Sequence, residues 1–468
     1  MKPSIKILVL LGSSHVLLAS AFAAPQPNII YILADDLGYG DLGCYGQKEI
    51  KTPQLDRMAD QGMRFTDHYA GSTVCAPSRC TLMTGLHQGN ARVRGNKKNQ
   101  LEDEDLTVAE VMKTVGYKTG LIGKWGLGIE GTPGEPSVQG FDYYYGYLDQ
   151  IHAHNHYPAW LIRNGKQIAL DNSVKFKKPN YTDVLGSAAT EKNEHSQTVL
   201  TEDALRFIEE SKDSPFFLYL AFVIPHVNNE GHIVGHHGME VPDQGIYANK
   251  DWPDEERCKA AMISMLDADV GRILDHLERL DLDDNTLVIF SSDNGPHKEG
   301  VDPEFFESNG PLKGVKRDLY DGGIRVPMIA WWPGKVEAGT TSDFPSAFWD
   351  MMATFADLGG ARIPEGKTDG ISLVPTLMGQ PDKQVAHEYL YWEFLGTQPY
   401  HQTQVVRSGD WKLIHFIAKD TWELYDVRRD LNEDRNLADQ NPEIVKRLKS
   451  YMEEGHQYNP TYPLPSEH

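Results

Sequence analysis

Four apolar runs, far apart in the chain, each end in residues capable of chemistry. Residues 28–34 run into Asp35-Asp36, 117–123 into Lys124, 216–225 into His226, and 286–292 into Asp293-Asn294. The most continuous of these runs lack polar alternation and read as strands covered on both faces of a mainly parallel sheet. In such a sheet the functional crevice lies outside the carboxyl ends of the strands. The pattern therefore predicts that four distant segments bring their reactive groups to one rim. Helical patterns fall between the strands. Thr107 and Glu110 form a capping-box pair that opens a helix stopping at Gly116. A second helix, 198–210, precedes the third run. A third, 255–280, repeats Ala261, Met265, Leu266, Val270, Ile273, Leu274 and Leu277 at helical spacing. Strand–helix alternation of this kind predicts an α/β fold, a large mainly parallel sheet flanked by helices.

After about Gly370 the texture changes. Residues 388–394, 404–408 and 411–416 read as short strands joined by turns, followed by 423–426 and a helix over about 442–454. The expected organisation is a catalytic domain over 25–370 and a small antiparallel sheet plus helix subdomain over 371–468. Residues 1–24 read as a signal peptide, with Lys2 and Lys6 ahead of short apolar stretches and small residues at 21–24. Their apolar part is short and interrupted by 12–15, which argues against a membrane span, and no later segment is long and apolar enough for one. The chain is expected to be exported, periplasmic or secreted. The connection 227–253, with His232, His236 and His237, is long enough to be functional or disordered.

Lys and Arg number 45 against 67 Asp and Glu in 468 residues, a net charge of −22. This argues against a nucleic-acid partner, which requires a basic surface. The overall field also repels anions, so an anionic substrate has to be held by local cations. Four scattered cysteines, Cys44, Cys75, Cys80 and Cys258, do not make a disulfide scaffold. Asp35, Asp36, Asp293 and Asn294 form an all-oxygen set, which suits Ca2+ or Mg2+ rather than zinc.

The stretch Cys75-Ala76-Pro77-Ser78-Arg79, followed by Thr84-Gly85, resembles the signature of the formylglycine-dependent (type I) sulfatases of the alkaline phosphatase superfamily. Pro77 fits the first position of a helix whose amino end faces Cys75 and favours a bound anion. The stretch 116–125, ending Gly123-Lys124-Trp125, resembles the second sulfatase signature, and Asp321-Gly322-Gly323-Ile324-Arg325-Val326-Pro327 resembles a third family stretch with Asp for Glu. The resemblance implies that Cys75 is oxidised to formylglycine (3-oxoalanine) by a formylglycine-generating or anaerobic sulfatase-maturating enzyme. It implies a metal, usually calcium, held by Asp35, Asp36, Asp293, Asn294 and the modified Cys75. It gives Arg79 to the hydrated aldehyde, Lys124 and Lys313 to the sulfate, and His226 to protonation of the leaving alcohol.

One position departs from the pattern: Gly126 stands where many relatives carry a histidine. That leaves a proton-transfer role open, and His152 or His154 is a candidate to take it or to line the substrate pocket. Arg94 and His297 are further candidates for shaping the pocket. The activity implied is sulfate-ester hydrolysis on a sulfated sugar or polysaccharide. The alternatives are a phosphonate monoester or phosphodiester hydrolase of the same superfamily, and a catalytically weak sulfated-glycan binding protein, suggested by Gly126.

Overall fold

The computed structural model describes residues 26–96, 100–177 and 186–467. The expected signal peptide lies outside the described residues. The first nine strands are β1 (Asn28–Ala34), β2 (Met63–Phe65), β3 (His68–Tyr69), β4 (Lys118–Lys124), β5 (Tyr143–Tyr147), β6 (Trp160–Arg163), β7 (Lys166–Ala169), β8 (Asn172–Phe176) and β9 (Ser187–Lys192). They are followed by β10 (Phe216–Ala221), β11 (Thr286–Ser292), β12 (Met328–Trp331), β13 (Thr340–Ser342) and β14 (Ser346–Ala347). Ten of these form one sheet in the order β13-β2-β12-β11-β1-β10-β4-β5-β6-β7. Its centre, from β11 to β5, is parallel, antiparallel pairings follow on both sides, and the edge strand β13 pairs parallel with β2. The four apolar runs supply β1, β4, β10 and β11, all in that parallel centre.

Helices cover both faces, which is why those runs need no polar side. α1 (Pro53–Asp60), α4 (Ser196–Ser211) and α5 (Asp254–Arg279) pack on one face around Ile32, Leu218 and Phe290. α2 (Cys75–Thr84), α3 (Val108–Lys113) and α7 (Asp350–Gly359) cover the other around Tyr31, Leu121 and Ile289. Each fully buried Leu, Ile or Phe contributes roughly 1.5–3 kcal/mol, so these two layers supply most of the driving force. The capping box of α3 is present in both halves, Thr107 accepting from Glu110 N and Glu110 accepting from Thr107 N. Gly123 in β4 takes φ 115°, and with no Cβ it lets the Ala221 backbone of β10 close in.

Beyond the short helices α6 (Asp321–Ile324) and α8 (Val374–Leu377), a second sheet carries β15 (Leu390–Leu395), β16 (Gln402–Ser408), β17 (Trp411–Phe416) and β18 (Thr421–Asp426), antiparallel throughout. α9 (Pro442–Gly455) packs on it through Leu448 and Met452. The opposite face docks on the main body through an apolar cluster around Tyr69, Trp349, Trp392 and Ile414, and through buried polar contacts. Trp392 Nε1 donates to Ala70 O, Arg407 grips Asp67, and Lys412 Nζ lies 2.6 Å from Asp321 and 2.9 Å from Glu433. No helix among the described residues is long and apolar enough to cross a membrane.

Candidate active site

Strand register decides which side chains meet. Ala34 of β1 pairs with Ser292 of β11, so Asp35 and Asp36 emerge beside Asp293 and Asn294. Ala221 of β10 pairs with Leu33 and Gly123, which brings Lys124 to the same rim. All four oxygen-bearing residues are fully buried. Asp36 takes φ 67°, uncommon without a glycine, and its N–H donates to Asp293 Oδ1 at 3.1 Å. Asn294 Nδ2 donates to Asp36 Oδ1 at 2.7 Å. Asp35 Oδ1 and Asn294 Oδ1 are buried with no hydrogen-bond partner. Orphaned acceptors at zero exposure are costly unless something else satisfies them, and a hard cation with oxygen ligands does so. Burial and the Asp35 carboxylate push Asp293 up to about 7, a penalty that a divalent ion among the carboxylates relieves. The residues present therefore fit a metal. Asp35, Asp36, Cys75 and His226 each hold one ligand atom within 4.8 Å of the others.

Cys75 is the first residue of α2, 1% exposed, at the amino end where unpaired N–H groups favour an anion. Burial raises its thiol pKa. One turn on, Arg79 donates through Nε and Nη2 to Asp293 Oδ2, at 3.0 and 2.8 Å, and through Nη1 to Lys124 O at 2.8 Å. Lys124 Nζ lies 2.6 Å from Asp35 Oδ2, and Lys316 Nζ 2.7 Å from Asp36 Oδ2. Three carboxylates thus face three permanent cations, and one divalent ion would tip the cluster positive. That is the local condition an anionic ester requires in a chain of net charge −22.

His226 Nδ1 donates to Val227 O at 2.6 Å, so its Nε2 faces inward, 3.3 Å from Lys316 Nζ and 3.4 Å from Asp36 Oδ2. Burial holds His226 well below the ordinary imidazole range. The ring is therefore neutral at rest, and Lys316 carries the proton of the pair. His297 stacks on one neighbour, His226, at 5.9 Å and places Nδ1 3.2 Å from Asp36 Oδ2. His154 stacks on His226 at 4.9 Å and bonds Glu230 through Nδ1 at 3.0 Å.

Asp35, Asp36, Cys75, Arg79, Lys124, His226, Asp293, Asn294, His154 and His297 are thus brought together. Three of the candidate site residues lie elsewhere. Lys313 does not reach the cluster: its Nζ donates to Glu433 O at 2.9 Å and lies over the Tyr320 ring. The lysine at the site is Lys316, five residues before Asp321. Arg94 is not free for a ligand, because its guanidinium bonds Glu393 at 2.7 Å and the carbonyls of Ala91 and Gly89. His152 packs between Tyr147 and Trp160, and burial lowers its pKa to about 4. The side chain that touches Cys75 from that segment is Gln150, with Nε2 3.2 Å from Sγ. Pro77 also sits two residues further into α2 than expected, since the helix opens at Cys75 itself. The one available signal for Lys316 was its spacing from Asp321-Gly322-Gly323, and for Gln150 its place directly before the imidazole-rich segment. All four cysteines are unpaired thiols, and the 227–253 connection carries two short 3-10 turns, Gly231–Val234 and Gly245–Tyr247, with His232, His236 and His237 outside the cluster.

Comparison with known proteins gives two family matches, Sulfatase over residues 27–361 and the C-terminal part of N-sulphoglucosamine sulphohydrolase over 315–458. An N-acetylgalactosamine-6-O-sulfatase of Bacteroides thetaiotaomicron is 31% identical, over 92% of this chain and 93% of its own length. Human N-acetylgalactosamine-6-sulfatase is 32% identical over 76% of this chain and 67% of its own. Among solved structures, Ps i-CgsB in complex with k-i-k-neocarrahexaose is 27% identical and superposes with a TM-score of 0.76, covering 94% of this chain and 95% of that one. A phosphonate monoester hydrolase of Agrobacterium radiobacter shares the fold at TM-score 0.62 and 24% identity, covering 92% and 94%.

Proposed function

The chain belongs to the sulfatase family, and from that premise we propose that it hydrolyses a sulfate ester of a sugar or polysaccharide to the free hydroxyl and inorganic sulfate. The observation that carries this reading is Asp35 and Asp36 closing on Cys75, tied by hydrogen bonds to Asp293 and Asn294, with Arg79, Lys124 and Lys316 around them. A hard divalent ion, calcium in this reading, and an oxidised, hydrated Cys75 supply a Lewis acid and an oxygen nucleophile when present. The protein's own residues do the rest. Lys124 and Lys316 hold the sulfate against the rim and balance charge as it develops. Arg79 locks the Asp293 and Asp35 carboxylates in place. His226, fixed by Val227 O, presents Nε2 to the leaving oxygen, and the proton delivered there comes from its pair with Lys316. Export to the periplasm or beyond fits residues 1–24 and a polymeric substrate.

The test combines peptide mass analysis at position 75 with sulfate release from defined sulfated saccharides and a matched phosphonate monoester. Converted protein is expected to release sulfate, to lose turnover in EGTA and to regain it with calcium. A larger kcat/KM for the phosphonate, or binding without sulfate release, would replace the reading.

A further inference from the structure

Gln150 stands three residues beyond β5 and is 7% exposed; its Nε2 lies 3.2 Å from Cys75 Sγ, while its Oε1 is buried without a partner. The placement follows from the sheet. Lys124 of β4 lies opposite Tyr147 of β5, and the pairing continues past both strands, from Trp125 N to Tyr147 O and Gly126 N to Leu148 O. Asp149 Oδ1 then accepts from Ile151 N and His152 N, which tightens the following turn. Gly126 takes φ 77°, and a Cβ there would stand 3.5 Å from Gln150 Oε1. The carboxamide therefore fills the space toward which a side chain at 126 would point.

A thiol is a poor match for a carboxamide. It offers one weak donor and one weak acceptor on a single sulfur. Whichever way the amide is turned, half of it stays unpaired against Cys75, a costly condition for a buried polar group. A carbon bearing two hydroxyl groups offers strong donors and acceptors side by side. We propose that Gln150 is built to hold the oxidised, hydrated form of Cys75, its Nε2–H donating to one hydroxyl oxygen and its Oε1 accepting a hydroxyl hydrogen. The role is orientation of the reacting group, since a carboxamide takes up no proton near neutral pH. The assignment rests on the sulfatase reading above.

Thermal unfolding of converted and unconverted preparations, sorted by peptide mass, tests it in the wild type, Gln150→Leu and Gln150→His. Conversion is expected to raise Tm by about 1–2 °C more in the wild type than in Gln150→Leu. Gln150→His, which keeps one donor and one acceptor, is expected to retain part of that gain. In the converted enzymes, Gln150→Leu is expected to lose at least about tenfold in kcat with KM within about threefold, and Gln150→His to recover part of the loss. An equal conversion-linked gain in wild type and Gln150→Leu, or a kcat within about twofold, overturns the assignment. If Gln150→Leu yields no folded protein, Gln150→His decides: a surviving gain supports the assignment and its loss overturns it. Converted wild type that releases no sulfate from any ester sinks the sulfatase reading instead, whatever the unfolding curves show.

Discussion

Lys313 and Lys316, three residues apart in one loop, carry the same charge to different places. Lys316 reaches Asp36 and His226, whereas Lys313 is held by Glu433 O and the Tyr320 ring. Removing a positioned cation from charge that develops in the transition state costs about 10²–10³ in rate. Lys316→Ala is therefore expected to lower kcat/KM by that factor, and Lys313→Ala by less than about threefold, with sulfate release followed by ion chromatography. The reverse order would remove Lys316 from the chemistry. His152→Ala is likewise expected to leave kcat within about threefold, because the ring touches Tyr147 and Trp160 rather than the cluster. Residue type and approximate position carry little information at this scale. Two lysines in one loop are interchangeable on paper, and only the backbone path of 311–320 separates them. Gln150 was hard to read for another reason: its place before the imidazole-rich segment says nothing of the space beside Gly126, twenty-four positions upstream, that it fills.

Among the elements, legibility tracks how completely each one is covered. β1 and β11 span the apolar runs residue for residue, because both faces of the central sheet are buried and water never imposes polar alternation. Edge strands such as β7, with Lys166 and Gln167 exposed, carry no comparable run and are set by pairing with β6 alone. α5 was readable from its stripe, but its junction with α1 was not. There Asp267 accepts from Gln54 N at 2.9 Å and Leu55 N at 2.7 Å, capping α1 from another helix. Burial, with little opposing charge, raises Asp267 to about 7. Its folded pKa lies above the unfolded one near 3.9. Its contribution to stability is thus full below about pH 4 and lost as pH rises through 7. Asp267→Asn keeps an acceptor for those N–H groups and cannot ionise. Urea unfolding of this variant should show a stability–pH slope between pH 4 and 7 more positive by one proton, with a net gain at pH 8. An unchanged slope would mean that Asp267 ionises without cost.

The second sheet is held to the main body by an apolar cluster around Tyr69, Trp349, Trp392 and Ile414 and by buried charges beside it. Lys412 of β17 is fully buried against Asp321 of α6 and Glu433. Removing Lys412 leaves Glu433 without its cation and Asp321 with Arg325 alone, which is expected to cost about 3–5 kcal/mol. Lys412→Met should therefore lower the denaturation midpoint of the entire protein, with fluorescence and circular dichroism transitions still coincident. Separate transitions would show the second sheet melting alone. The same completeness of packing governs when Cys75 can be altered. A side chain with 1% exposure, sealed between α2 and the strand ends, offers no grip to another protein once the chain has closed over it. Under the reading proposed above, conversion of this thiol has to come while the polypeptide is still extended, so timing decides which copies work. On that reading, a molecule that closes too soon keeps its thiol, a well-made blank beyond later rescue.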